Sequence, residues 1–437
     1  MKKNNFLIFL VLLAFFSVKA QVNTYSPYSY FGVGQLHSLS TTSNIVNGGL
    51  GVSTYSLYSL NHVNPASISF LDQTSFEIGS ITTFINMSQG NLEQRNFVSS
   101  LSNIGLGFPI LGSSSSNNQL GLSFALLPYS NVGYNVNTEV LIDDYIGLEN
   151  YNYNGFGGIN KFIVGSGWRI TNNIAIGANL NYLFGNISRS TEVYTENSII
   201  QFRENHFTLI NDINFDCGVL FTKSISDYRI NLGFTFSPER QIKSKTNLFQ
   251  HTYITSGEFE TFVDTILDVE NTIENMIMPS DYAVGFSIES SSKWLLGIDY
   301  KYTNWEKHGQ SLSYNYMSDK NELIIGAKFI PKKTDIYNYF NRVQYSLGVS
   351  YESGYLDLLR ATNTEGVESN VLTDLALTFG MALPMNKVYS KANLGFRYGV
   401  RKSENDFLTG DNIDENYLTV YLSMTLNEKW FKKRKIE

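Results

Sequence analysis

The sequence predicts an all-β fold: a 14-stranded antiparallel transmembrane β-barrel with an N-terminal plug, or hatch, in its lumen. Three observations predict it. The chain starts with a secretory leader, it holds no later apolar run of membrane-helix length, and alternating segments recur from Thr74 to its end. The implied organisation is a signal peptide over 1–20, a lumenal or periplasmic segment over 21–73, and the barrel over 74–437.

Composition removes most other classes. Of 437 residues, 43 % are hydrophobic, 14 % aromatic and only 16 % charged. Ordinary globular chains carry about a quarter charged residues. So little charge and so many aromatics argue against disorder, coiled coil and nucleic-acid binding, the last of which needs a basic surface. Cys217 is the one cysteine, so neither a disulfide framework nor a cysteine metal cluster can form. His37, His62, His206, His251 and His308 lack metal-ligand spacing. No Gly-x-Ser-x-Gly, His-Glu-x-x-His or phosphate loop occurs, so no enzyme, metal or cofactor is expected. The enzymatic alternative is a Ser/His pair that assembles only in space.

The leader comes first along the chain. Lys2 and Lys3 precede the apolar run Phe6 to Phe16, which exits through Val18-Lys19-Ala20. That is the pattern of a cleaved secretory signal, and the run is too short to span a bilayer. Loss of its three lysines takes the formal charge from −7 to −10 over 417 residues. The mature protein is then exported, and either soluble or a barrel.

The strands decide between those two. In 173–184, Ile174, Ile176, Ala178, Leu180, Tyr182 and Phe184 share one face, against Asn173, Gly177, Asn179 and Asn181 on the other. Like runs cover 74–85, 119–128, 131–140, 162–170, 213–221, 229–237 and 281–289. They continue with 293–303, 322–330, 343–351, 374–383, 392–400 and 417–426. Long connections after odd strands (86–118, 141–161, 185–212, 238–280, 304–321, 352–373 and 401–416) alternate with short turns after even ones. Outer-membrane barrels show this rhythm, with short periplasmic turns and long outer loops. It places the protein in the cell outer membrane, against its lipids, with both termini periplasmic.

Thirteen of the fourteen runs carry a glycine on the polar face, from Gly79 and Gly121 to Gly380 and Gly395. Glycine in a strand marks a bend or a close backbone approach, here on the lumen side. Trp168, Trp294 and Trp430 fall near periplasmic strand ends and Trp305 near an outer one, as aromatic girdles do. Cys217 falls on the lipid-facing side. Charges assigned to the lumen, among them Glu77, Arg229, Glu289, Asp299 and Lys328, have mixed sign and suit a hydrated, salt-bridged interior.

Residues 21–73 hold no long alternation. They read Ser26-Pro27-Tyr28-Ser29-Tyr30-Phe31-Gly32-Val33-Gly34, then Gly48-Gly49-Leu50-Gly51, then Asn64-Pro65-Ala66. The alternatives are a periplasmic tail or a compact plug. Aromatic content and the inward glycines favour the plug.

Together these features resemble the long-chain fatty acid transporter family, the FadL/TodX-like or OmpP1-type barrels. The Gly-rich start, Asn64-Pro65-Ala66 before the first strand, and the strand count carry the resemblance. So do Met278-Pro279 through Trp294 to Trp305, and Gly165-Ser166-Gly167-Trp168 through Tyr182. The resemblance implies passive uptake of a hydrophobic small molecule, fatty-acid-like, past a movable hatch and out through the barrel wall. Tyr28, Tyr30, Phe31, Leu36, Val46 and Leu50 are then the candidate ligand contacts, or else they pack the hatch against the wall. Asn64, Pro65 and Ala66 are the candidate hatch pivot, or else a turn that starts the strand.

Some relatives supply a second reading, a non-transporting partner or shuttle barrel of a type IX secretion-like complex, whose partners are periplasmic or secretion-pathway proteins. In 238–280, Phe262, Ile266, Val269, Ile273 and Ile277 recur at helical spacing among five acidic residues and predict an amphipathic helix at the outer rim. Lys432 to Lys435 form a basic end, either solvated near headgroups or a docking site for a periplasmic partner.

Overall fold

The computed structural model describes residues 24–37, 41–111, 118–143, 147–195, 198–257, 259–290, 293–306, 317–357, 371–385, 389–403 and 413–430. The leader, His308 and the Lys432–Lys435 tail lie outside them.

Seventeen strands form one sheet. They are β1 (Gln35–Leu36), β2 (Thr74–Gln89), β3 (Leu92–Leu111), β4 (Gln119–Asp143), β5 (Gly147–Arg169), β6 (Ile174–Thr195), β7 (Ile200–Ile225) and β8 (Tyr228–Ser237). Then follow β9 (Arg240–Ser256), β10 (Phe259–Met278), β11 (Asp281–Ser290), β12 (Trp294–Thr303), β13 (Lys320–Phe329), β14 (Gln344–Asp357), β15 (Val371–Pro384), β16 (Lys391–Ser403) and β17 (Asp414–Glu428). β2 to β8 pair in sequence order, β8 pairs with β11, and β11 to β17 continue the series. β17 returns to β2, Glu428 opposite Thr74, and closes the barrel at fourteen strands. Closure removes the sheet edges that a bilayer cannot solvate. The outward face stays apolar, as at Leu232 and Phe234, and Cys217 is exposed on that side.

The count of fourteen conceals two compensating errors of assignment. The segments 119–128 and 131–140 are one strand, β4, whose pairing with β5 slips between Pro128 and Ser130. A β-bulge, not a turn, sits where the proline broke the pattern. The connection 86–118 instead contains β3, paired along its length with β2. Its inward positions Asn103, Gly105 and Gly107 and its Pro109 blunt the strand signal. Much of 141–161 and 185–212 is also strand, so the barrel rises as long ribbons rather than loops.

The predicted rim helix is also corrected: 240–278 is the hairpin β9–β10. Its pairing slips at Phe262/Asp264, Thr265/Leu267 and Val269/Thr272. Each slip breaks the period of two, so apolar residues fall three or four apart and imitate a helix. The β-branched content of the segment supports the strand. The hairpin stands outside the closed ring, with β9 paired to the upper half of β7. Trp305 is likewise no girdle residue. It is 1 % exposed, with its ring 4.8 Å from that of Tyr355.

Candidate functional site: the N-terminal segment and a seam in the wall

Residues 41–73 lie along the inward glycines of the strands. Asn64 caps a 3-10 helix, Pro65–Phe70, by accepting from the Ala66 N–H at 3.1 Å. Its amide donates to the carbonyls of Val52 at 2.8 Å and Val219 at 3.1 Å. Pro65 fits because the first helical turn needs no donor there. A Cβ at Gly167 would stand 2.6 Å from the Pro65 oxygen, and one at Gly177 would overlap Pro65 and Ala66. Val46 packs on Gly380, and Leu50 on Gly297 and Gly326.

Two barrel carboxylates hold this backbone. Asp299 on β12 accepts from the N–H groups of Gly51 at 2.7 Å and Val52 at 2.9 Å. Glu77 on β2 accepts from the Ser43 hydroxyl at 2.8 Å and the Asn103 amide at 3.1 Å. Ser43 lies in the short helix α1 (Thr42–Ile45), whose four residues are all buried. Unpaired buried backbone groups would be costly, and the wall satisfies them.

The remaining candidate residues lie apart, in the half of the barrel away from the short turns. Tyr28 is buried and its hydroxyl donates to the Ile413 carbonyl at 2.5 Å. Burial and the charge of Glu415 raise its pKa. Tyr30 is 40 % exposed and meets Phe31, Tyr134 and Tyr153 edge-on, with ring centres 5.2 to 6.0 Å apart. Phe31 and Leu36 pack against an apolar cluster that includes Val132, Met276, Trp305 and Tyr355. The structure therefore brings Tyr28, Tyr30, Phe31 and Leu36 together in the half away from the short turns. It sets Val46, Leu50 and Asn64-Pro65-Ala66 against the glycines of the wall.

A second feature is the wall itself. β3 and β4 pair only from Ile104–Leu126 to Leu111–Leu120. Above that, residues 92–103 pair with β2 but with nothing on their other side among the described residues. β4 turns away at its bulge and pairs with β1, Ser130 opposite Leu36 and Asn131 opposite Gln35. The extra residue, Tyr129, offers its carbonyl to the His37 N–H at 2.9 Å. Opposite the bulge stand Gly157 and Gly158, at φ of 115° and 147°, a backbone that side-chain-bearing residues rarely adopt. The N-terminal segment thus takes hydrogen bonds that a neighbouring wall strand would otherwise use.

Two cavities flank this strap, and both are lined by Leu36 and His37. One, of about 130 Å³, lies behind the seam between Val98, Ser100 and Ser102 of β3 and Leu127 and Pro128 of β4. The other, of about 120 Å³, reaches Tyr129, His62, Trp305 and the ion pairs Lys161–Asp216 and Lys301–Glu322. Burial, with help from the charge of Arg401, pushes the His37 pKa down to about 4. The ring is neutral near neutral pH, and Asn131 Nδ2 lies 2.5 Å from its Nε2. Sequence reasoning missed the seam. Its signal is Pro128-Tyr129-Ser130 inside an unbroken strand, followed across the hairpin by Gly157-Gly158.

A family model described as BamG matches residues 1–437. No curated protein matches the chain. Among solved structures, the chain is similar to a Pseudomonas aeruginosa FadL homologue, with 13 % identity and a TM-score of 0.56 over 90 % of this chain and 99 % of that one. It is also similar to the P. putida toluene transporter TodX, with 15 % identity and a TM-score of 0.53 over 88 % and 99 %. At such identities the likeness establishes a shared fold, and function has to be argued from the site.

Proposed function

This chain belongs to the BamG family of barrel proteins, and on that premise we propose that it is an outer-membrane barrel for passive uptake of small hydrophobic molecules, fatty-acid-like ligands among them. The seam between β3 and β4 carries the reading. A barrel that only filled its lumen would gain by pairing those strands fully, since unpaired backbone is costly in a bilayer. Here β4 bends inward, and the strap Gln35–His37 takes up its hydrogen bonds.

The path runs from the outer aromatic residues Tyr30, Phe31, Tyr134 and Tyr153 toward Leu36. Displacing the strap joins the two cavities and opens the larger one to the seam. The molecule then leaves sideways into lipid and never crosses water, where each exposed CH₂ would cost about 0.8 kcal/mol. Residues 21–73 act as the plug, with Asn64-Pro65-Ala66 as its fixed end, and both termini lie in the periplasm. The leader is removed on export.

A cysteine pair tests this. In a Cys217→Ser background, Ser102→Cys with Leu127→Cys places two thiols on the cavity behind the seam. Oxidation should lower uptake of a fluorescent fatty acid at least tenfold, and reduction should restore it. Uptake unchanged in the oxidised form would sink the proposal.

One observation favours the second reading, a partner barrel of a secretion-like complex. β10 pairs with β9 alone, and its other edge is open among the described residues. It exposes Phe259, Phe262, Ile266 and Ile273, with no lysine or arginine along its length. An open edge is a template for another chain, and this one also carries Glu260, Asp264, Asp268, Glu270 and Glu274.

A further inference from the structure

The mouth on the short-turn side holds a cavity of about 390 Å³ that the uptake path does not use. Arg229 of β8, Lys293, residues between Ile330 and Gln344, and Tyr389 and Ser390 form its rim, and residues between Ser43 and Asn61 form its floor. Six cations line it: Arg229, Lys293, Lys328, Lys333, Arg342 and Lys391. Among the described residues the only carboxylate in the lining, Glu289, is held by Arg229 at 2.7 Å.

Elsewhere in the lumen several cations meet carboxylates. Lys161 faces Asp216, Lys301 faces Glu322, Lys320 faces Glu352, and Arg401 bridges Asp374 and Glu415. In this cavity Lys328 and Lys391 are half-buried with no ion pair or hydrogen bond among the described residues. The Arg342 Nε is buried without a partner. Gathering like charges in a partly desolvated recess opposes folding unless an anion compensates them.

The rest of the lining mixes small polar residues with an apolar and aromatic wall. Tyr55, Leu57 and Trp294 contribute, and Tyr58 stacks on Tyr389 with ring centres 3.9 Å apart. The volume falls in the range of small-molecule pockets. We propose that this pocket binds a small amphiphilic anion, a phosphate or carboxylate group carried on an apolar body. The cations take the head, and the aromatic wall takes the body. The site stands independently of the uptake reading, because binding at this mouth requires no passage through the seam.

The test is a titration of the full barrel in nanodiscs with 1-naphthyl phosphate and 1-naphthoate, with 1-naphthylmethanol as the neutral analogue. At least one anion should bind tenfold or more tighter than the neutral compound, and added salt should weaken it. Which anion binds tighter identifies the head group. Lys328→Gln with Lys391→Gln should lose at least tenfold in affinity, while Lys223→Gln, exposed outside the cavity, should lose nothing. Equal binding of the neutral analogue, or unchanged anion binding by the double variant, overturns the proposal. If the double variant fails to assemble, Lys391→Gln alone should still lose about threefold, and no loss there overturns it as well.

Discussion

Asp299 on the barrel wall accepts a hydrogen bond from the backbone N–H of Gly51 at 2.7 Å, across 248 residues of sequence. The same oxygen also accepts from Val52, so one carboxylate satisfies two backbone donors that face no strand. Strand alternation alone would leave an acid in that position unexplained. Its partner is the chain inside the barrel, not an ion in a channel.

Replacing Asp299 with Ala should leave those two N–H groups buried and unpaired, at about 1–3 kcal/mol each. The barrel should still assemble, because β12 keeps its ladders to β11 and β13. Hydrogen exchange over 48–56 should rise by at least tenfold while exchange in β12 stays slow. Unchanged protection at Gly51 and Val52 would show that the carboxylate is incidental.

Glycine substitutions should separate close approach from simple strand preference. A Cβ at Gly233 would overlap the carbonyl of Val52, whereas one at Gly395 has its nearest neighbour 3.4 Å away. Gly233→Ala should cost more than the roughly 1–3 kcal/mol of ordinary overpacking, since the obstacle is backbone. Gly395→Ala should be near neutral. The readout is the heat-modifiable fraction on a gel, and equal loss from both variants would refute the packing argument.

The contrast between those glycines shows what was legible in the sequence. The barrel class follows from alternation, because every wall residue chooses between lipid and lumen, whereas the strand number agreed only because the split of β4 offset the missed β3. The glycines announced that something lies close inside, but not what lies there. Proline at 128 was readable as a break and not as a bulge, because the same residue serves both. Only the inward turn of β4 onto Gln35–Leu36 distinguishes them, and that contact lies about ninety residues away in sequence. The β10 spacing misled for a related reason: three bulges gave a strand the periodicity of a helix.

His62 should make the N-terminal segment pH-sensitive. It is 3 % exposed, and neither ring nitrogen has a hydrogen-bond partner. Burial, then the charge of Lys161, lowers its pKa from 6.5 to about 4. A depressed histidine pKa means that the opened state binds the proton more readily. Stability of the packed segment is therefore complete above about 6.5 and falls as pH drops toward about 4, by about 3 kcal/mol in all. Hydrogen exchange over 50–71 should accelerate across that window and flatten in His62→Leu. A variant that keeps the full pH dependence would assign the effect elsewhere, with His37 the next candidate.

Removal of the β9–β10 hairpin should leave the barrel intact. β8 pairs directly with β11, from Ser237–Asp281 to Tyr228–Ser290, so ring closure does not pass through the hairpin. Its attachment is the ladder between β9 and Ile200–Ile210 of β7, the ion pair of Arg203 with Glu260 at 2.8 Å, and the burial of Ile242, Met276 and Met278 in the apolar cluster that also holds Trp305 and Tyr355. A chain lacking 240–278, with Glu239 joined to Pro279, should reach the outer membrane and show the same heat-modifiable shift. The two functional readings diverge here. An uptake barrel should still transport, because the seam lies at β3–β4 on another part of the wall, but at a rate altered by the loss of Met276 and Met278 beside Leu36. A partner barrel should transport nothing before or after the deletion, and it should lose a protein that co-purifies with the full chain. Failure of the shortened chain to assemble would instead show that β7 needs β9 to hold its upper half.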